Sequence, residues 1–198
     1  MSDTELLIKK ATGKIFTEKF PSIHSENYIL VIPSRQILFL ISKNTVIASY
    51  PVSTSKYGLG NENNSFKTPT GLHYIAEKIG DEAPKMTIFK GRKTLKGDLT
   101  LSDLDRPENS EIRSKHFATH DDVITSRILW LKGHEEGINK GHNIDSYSRY
   151  IYIHGTAHED KIGTAASHGC VRMNNDDVIE LFNKTYINMP VLISSVIE

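Results

Sequence analysis

Cys170 is the single cysteine of a 198-residue chain, and it closes the run Ser167-His168-Gly169-Cys170 after an earlier His154-Gly155-Thr156. A cysteine is a nucleophile as its thiolate, which needs a base or imidazolium within hydrogen-bond reach or a positive field that lowers the thiol pKa. His154 is the partner that the spacing offers, because the Gly-, Ala- and Thr-bearing loop between the two is able to fold them together. Downstream, Asn174 and Asn175 read as N-caps of a helix with Asp176 and Asp177 in its first turn. A cysteine just ahead of that helix is expected to feel the positive end of its macrodipole. The ordinary reading of a lone cysteine is a small core hydrophobe. Its polar neighbours make Cys170 a poor filler.

The elements that must position these residues are mostly strands. Asn27–Ile32, 37–41 and 45–52 are β-branched, aromatic and joined by short polar turns, as in an antiparallel meander. Further strands are predicted over 72–77, 124–131, 149–154 and 190–196, and Trp130 reads as strand core. A short helix is predicted over 4–12, and a better signalled one follows the Asn174 and Asn175 caps and ends near Lys184, with Val178, Leu181 and Phe182 as its apolar stripe. Residues 58–70 form a Gly- and Asn-rich loop that ends in Thr68-Pro69-Thr70-Gly71. The charged stretch 78–122 lacks a clear strand or helix pattern and is expected to be a long excursion over one side. The expectation from these patterns is a mainly β fold with one well-signalled helix after Cys170 and no βαβ alternation. Residues 1–26 form a short extension to a domain over 27–198.

Lysine plus arginine and aspartate plus glutamate are 24 each, so no basic field draws in nucleic acid. No stretch approaches the roughly 20 apolar residues of a membrane span, and the expectation is no membrane insertion. The N-terminal apolar run is Leu6-Leu7-Ile8, short of the ~7–15 residues of a secretory core, so a cytoplasmic location is expected, with the periplasm as the alternative.

The combination His154-Gly155-Thr156, a spacer, Ser167-His168-Gly169-Cys170-Val171-Arg172-Met173 and an upstream Thr68-Pro69-Thr70-Gly71 resembles the L,D-transpeptidase catalytic domain, the YkuD family. Its spacer is at the short end of the family's range, and Arg172 stands where many members carry asparagine. The resemblance implies a mainly β, YkuD-like β-sandwich of mixed and antiparallel sheets with one helix following the cysteine, Cys170 as nucleophile, His154 as its acid/base, and the Gly155 carbonyl as the group that orients the imidazole. It further implies backbone donors near Gly169 and Cys170 for the oxyanion, each worth roughly 2.7–4 kcal/mol in comparable enzymes. His168 matches the family's second histidine at the site. The implied partner is a peptidoglycan stem peptide or muropeptide, cleaved after its third, diamino-acid residue with release of terminal D-alanine; no cofactor is implied.

Arg172 is a candidate for a substrate carboxylate by its fork geometry, with a structural ion pair as the alternative. Ser167, Thr156 and Tyr57 are the other candidate substrate contacts; Tyr57 and Tyr74 are candidates to line the peptide groove, with ordinary half-buried strand and loop positions as the preferred reading of the pair. His154, His158, His168 and Cys170 also raise a zinc reading, disfavoured because no helix aligns the rings. His116, His120, His134 and His142 are placed in loops without chemistry. Water as acceptor gives an L,D-carboxypeptidase of murein recycling, the reading preferred here. An amine acceptor gives a transpeptidase, making 3→3 cross-links or attaching a protein. An inactive peptidoglycan-binding module is the alternative of another class.

Overall fold

The computed structural model describes residue 20 and residues 25–95, 98–117 and 123–195. The helix predicted over 4–12 lies outside them. In chain order the strands are β1 (Asn27–Ile32), β2 (Ile37–Ser42), β3 (Thr45–Ser53), β4 (Gly71–Ile79), β5 (Ile88–Lys90), β6 (Lys93–Thr94), β7 (Ile124–Gly133), β8 (Tyr152–Thr156), β9 (Val171–Met173) and β10 (Pro190–Ile193). The helices are α1 (Ser110–Phe117) and α2 (Asn175–Lys184).

β1 is buried on both faces, which explains its unbroken apolar run from Tyr28 to Ile32. Lys43 and Asn44 both take positive φ, 47° and 60°, as a two-residue hairpin turn between β2 and β3 requires. Hydrogen bonding then runs β4-β10-β1-β2-β3-β9-β8-β7, and β7 pairs back onto β4. The pairs β1–β10 and β8–β9 are parallel. The mainly β expectation with mixed pairing therefore holds, and the β4–β7 ladder closes the strands into one continuous sheet.

Inside this ring Ile29, Val31, Leu38, Leu40, Val52, Ile75, Leu129, Leu131, Ile153, Val171 and Val191 form one core. Val178, Leu181 and Phe182 of α2 enter the same cluster. Burying three such side chains contributes about 5–9 kcal/mol, which holds a ten-residue helix that is marginal by itself.

Three segments differ from the sequence expectation. The strand predicted over 149–154 begins at Tyr152, because Tyr150 has φ of 56° and ends the turn before it. β9 is three residues long and carries too little pattern to be seen in sequence. Within 78–122, β5 pairs antiparallel with β7 and is followed by β6 and α1, while Ile88, Leu104 and Val123 make a small core of their own with Ile112 and Ala157 at its margin. His116 thus falls in a helix, and His120 lies outside the described residues.

The Thr68 to Gly71 segment anchors a buried polar cluster. Thr68 Oγ1 accepts the Ser55 N–H at 2.9 Å, and Asn139 Nδ2 donates to the Thr70 carbonyl at 3.1 Å. Gly71 has φ of 97° and lies where any Cβ would overlap the Glu135 carboxylate, which itself accepts the Leu72 N–H at 2.7 Å. Next along β4, His73 is fully buried between the Gly71 carbonyl at 3.1 Å and Ser146 Oγ at 2.9 Å.

Burial pushes His73 down to about 4, with the Gly71 hydrogen bond acting the other way. The unfolded chain then binds a proton near pH 6.5 that the folded chain refuses, so the contribution is complete above 6.5 and is lost as pH falls toward 4. The shift integrates to roughly 3 kcal/mol. Urea unfolding between pH 7.5 and 4.5 should show this loss, and His73→Gln should flatten the slope by about one proton. Identical slopes in the two proteins would place the acid sensitivity elsewhere.

Candidate active site

Because β8 and β9 run parallel with Ile153 opposite Val171, His154 opposite Arg172 and Gly155 opposite Met173, the period-2 alternation sorts the segment cleanly. Ile153, Val171 and Met173 point into the core. Tyr152, His154 and Arg172 take the other face, joined by Cys170 one step before β9. Neighbouring strands lie about 4.8 Å apart and a two-residue step is about 6.6 Å, so His154 and Cys170 are diagonal neighbours. The Tyr152 N–H points at Cys170 Sγ at 3.4 Å, and the Tyr150 carbonyl lies 3.5 Å from the same sulfur.

His154 is fully buried, with Nδ1 2.7 Å from the Gly155 carbonyl. A carbonyl only accepts, so Nδ1 carries the proton and Nε2 is the basic nitrogen. Gly155 is dictated by close approach: a Cβ there would sit 2.6 Å from the Thr125 carbonyl and 2.8 Å from Asn175 Oδ1.

Ser167 is also fully buried, and its hydroxyl shapes the turn by donating to the Cys170 carbonyl at 2.6 Å and accepting the Gly169 N–H at 3.2 Å. Thr156 is buried too; its Oγ1 accepts the His158 N–H at 3.1 Å. Both side chains, read in the sequence as substrate contacts, are engaged within the chain and bear on the site through the backbone they hold. Gly169 has φ of 124°, and its amide, expected to face an oxyanion, is directed to Ser167.

His168 lies among aromatic rings, 5.8 Å from Tyr57 and 6.2 Å from Phe66 between centroids. Tyr57 is nearly half exposed on the loop above the site. His168 and Arg172 line a cleft of about 370 Å³ with Lys56, His158, Lys161, Ala165 and Ala166. Arg172 is 2% exposed, so it reaches that cleft from within the sheet. Tyr74 is remote from this face, in edge contact with His134 at 5.3 Å. No group of three or more His, Cys, Asp or Glu among the described residues is arranged to hold a metal ion.

The helix-dipole expectation is corrected. β9 and Asn174 separate Cys170 from α2, and the first α2 amide, that of Asn175, donates to Glu159 Oε1 at 2.6 Å. A macrodipole acts within about one turn of the helix end, and here a carboxylate meets it. The cation that does bear on the thiol is Arg149. It clasps the Gly60, Asn61 and Lys67 carbonyls at 3.3, 2.9 and 2.7 Å, and burial lowers its pKa while the Cys170 charge raises it.

Sequence reasoning missed Asn175 as anything but a cap. It is fully buried, accepts from Thr125 Oγ1 at 2.7 Å and Ser126 Oγ at 2.5 Å, and donates to the Thr156 carbonyl at 3.0 Å and Glu159 Oε1 at 2.8 Å. One side chain thereby ties β7, β8 and α2 together behind His154. Its only sequence signal was an asparagine at a helix start, which a cap explains equally well. Asn175→Ala strands two hydroxyls and a carbonyl, and should cost about 2–4 kcal/mol in urea unfolding; a cost under about 1 kcal/mol would show that the network does not hold the site.

The family model described as YkuD, L,D-transpeptidase catalytic domain, matches residues 26–193. YqjB of Bacillus subtilis (strain 168), whose name assigns it provisionally to the L,D-transpeptidases, is 45% identical over 46 residues, 23% of this chain and 26% of that protein. L,D-transpeptidase 3 from Mycobacterium tuberculosis superposes with a TM-score of 0.50 at 13% identity, over 86% of this chain and 61% of that one, a likeness of fold. The chain thus matches about a quarter of YqjB and about three-fifths of the solved transpeptidase. The family match runs through every strand of the closed ring and the whole His154 to Cys170 segment, and the chain belongs to the YkuD family of L,D-transpeptidase catalytic domains.

Proposed function

We propose that this chain is a cysteine acyl-transfer enzyme that cleaves the L,D bond of peptidoglycan tetrapeptide stems, with water resolving the thioester. The observation that carries the reading is the shared face of β8 and β9, where His154 in its Nδ1–H tautomer neighbours Cys170. Cys170 passes its thiol proton to His154 Nε2, and Sγ attacks the carbonyl carbon of the diamino-acid residue as its thiolate. The tetrahedral oxyanion draws the Gly169 N–H away from its 3.2 Å contact with Ser167, because a charged acceptor outcompetes a neutral hydroxyl. Collapse breaks the C–N bond, and the D-alanine amine leaves with a proton from the His154 imidazolium. Water then adds to the thioester, giving its proton to His154, and the C–S bond breaks to yield the tripeptide acid and the thiolate, which takes the proton back from His154.

Water as acceptor is favoured by the cleft that His168 and Arg172, the residues on either side of Gly169-Cys170-Val171, help to line. Lys56, Lys161 and Arg172 line it, and their positive charge, that of Lys161 shared with Asp160 at 3.1 Å, disfavours the approach of an acceptor amine, which arrives largely as ammonium. The same charges suit the carboxylates of a soluble muropeptide, and cytoplasmic recycling of such fragments is the role this reading assigns. The transpeptidase reading keeps the same acyl-enzyme and exchanges water for a second stem.

Mass spectrometry of the protein with a disaccharide-tetrapeptide should show free D-alanine and tripeptide. Cys170→Ala should give none, and His154→Gln should be slower by about 10²-fold or more. A cross-linked product would replace hydrolysis by transpeptidation. Absence of any Cys170-dependent product, with a thiol inert to alkylation at neutral pH, would favour the binding module.

A further inference from the structure

On its other flank Cys170 packs with Phe89, Trp130 and Tyr152. Phe89 belongs to β5, and the turn from β5 to β6 is Gly91-Arg92, both in left-handed conformation with φ of 56° and 66°. A positive φ is unfavourable for arginine and persists where surrounding contacts hold it. Those contacts are aromatic. The Arg92 guanidinium lies 4.6 Å from the centroid of Trp130 and 5.0 Å from that of Tyr150, and its charge acts on the Tyr152 hydroxyl.

The platform under it is rigid. Tyr147 stacks on Trp130 at 4.0 Å with 4° between planes, Trp130 Nε1 donates to the Tyr147 carbonyl at 3.1 Å, and the Tyr147 hydroxyl donates to Glu77 at 2.6 Å. Glu77 is thereby engaged by the tyrosine, and no carboxylate pairs with Arg92 among the described residues. Tyr150, whose ring faces the guanidinium, and Tyr152, on which its charge acts, are also the residues whose backbone touches Cys170 Sγ. A half-buried planar cation, oriented by aromatic rings whose own residues adjoin the thiol, is suited to bidentate capture of a carboxylate.

We propose that Arg92, at the tip of the β5–β6 hairpin, is a specificity-determining residue that holds a carboxylate of the stem peptide beside Cys170. The proposal rests on the stem-peptide reading above and adds the recognition group. The carboxylate is either that of the diamino-acid side chain or that of the C-terminal D-residue, two sources with one chemistry.

The test uses the full chain carrying Cys170→Ala, so that binding is read without turnover. Three synthetic tetrapeptides are titrated by calorimetry: the free acid, the form amidated on the diamino-acid side chain, and the form amidated at the C-terminus. Trp130 is the only tryptophan, so its fluorescence reports occupancy next to Arg92 independently. One amide should bind about tenfold or more weaker than the acid, which names the source. Adding Arg92→Gln should abolish that difference, and Arg92→Lys should restore part of it. Equal affinities for all three peptides, discrimination that survives Arg92→Gln, or no binding of the free acid would each overturn the proposal. A product assay that fails while this discrimination stands would instead count against hydrolysis alone.

Discussion

The parallel, in-register pairing of β8 with β9 is the constraint on which the rest of the molecule depends. A strand has a period of two, so one choice of register decides the face of every side chain along both strands. With Ile153 opposite Val171, the apolar residues enter the core and His154 and Cys170 share the opposite face. A slip of one residue would bury the thiol and expose the valine. Register is therefore under the control of the core, and the chemistry inherits its geometry from hydrophobic burial.

Holding three-residue β9 in place requires support from outside the strand. Part of that comes from β3, which pairs with it on the other edge, and part from α2, whose Val178, Leu181 and Phe182 lie in the same core. The remainder is polar. Asn175 gathers β7, β8 and Glu159 through four hydrogen bonds, and the absence of a side chain at Gly155 lets it come close. A fully satisfied buried network of this type fixes one arrangement, since each alternative leaves polar groups unpaired.

The two flanks of Cys170 are built by different parts of the chain. On one side are the Ser167 to Cys170 turn and the Lys56-Tyr57 loop, joined by the bridge between Ser55 and Ser167 and by the Lys56 N–H to the Ser167 carbonyl at 3.1 Å. On the other is the β5–β6 hairpin of the long excursion, docked on β7 through Ile88 and Phe89. Arg149 clasps the loop above, so the site has cations on several sides although the whole chain carries no formal net charge. Local field and net charge are separate quantities.

Much of this was legible in the residues themselves. The meander of β1 to β3, the strands at β4, β7 and β10, and helix α2 follow from alternation, turn formers and an apolar stripe, which are local signals. The His154 and Ser167 to Cys170 motifs were legible for the same reason, since reacting groups are a matter of residue type. What the tertiary structure decided is everything carried by non-local pairing. β9 and the β5–β6 hairpin are too short to have a pattern and exist because β7 and β8 supply their partners. The thiol's neighbouring cation is Arg149 instead of a helix end, because β9 intervenes before α2. Asn175 and Arg92 look unremarkable in sequence, since an amide or a guanidinium acquires its role only from the groups that folding brings against it.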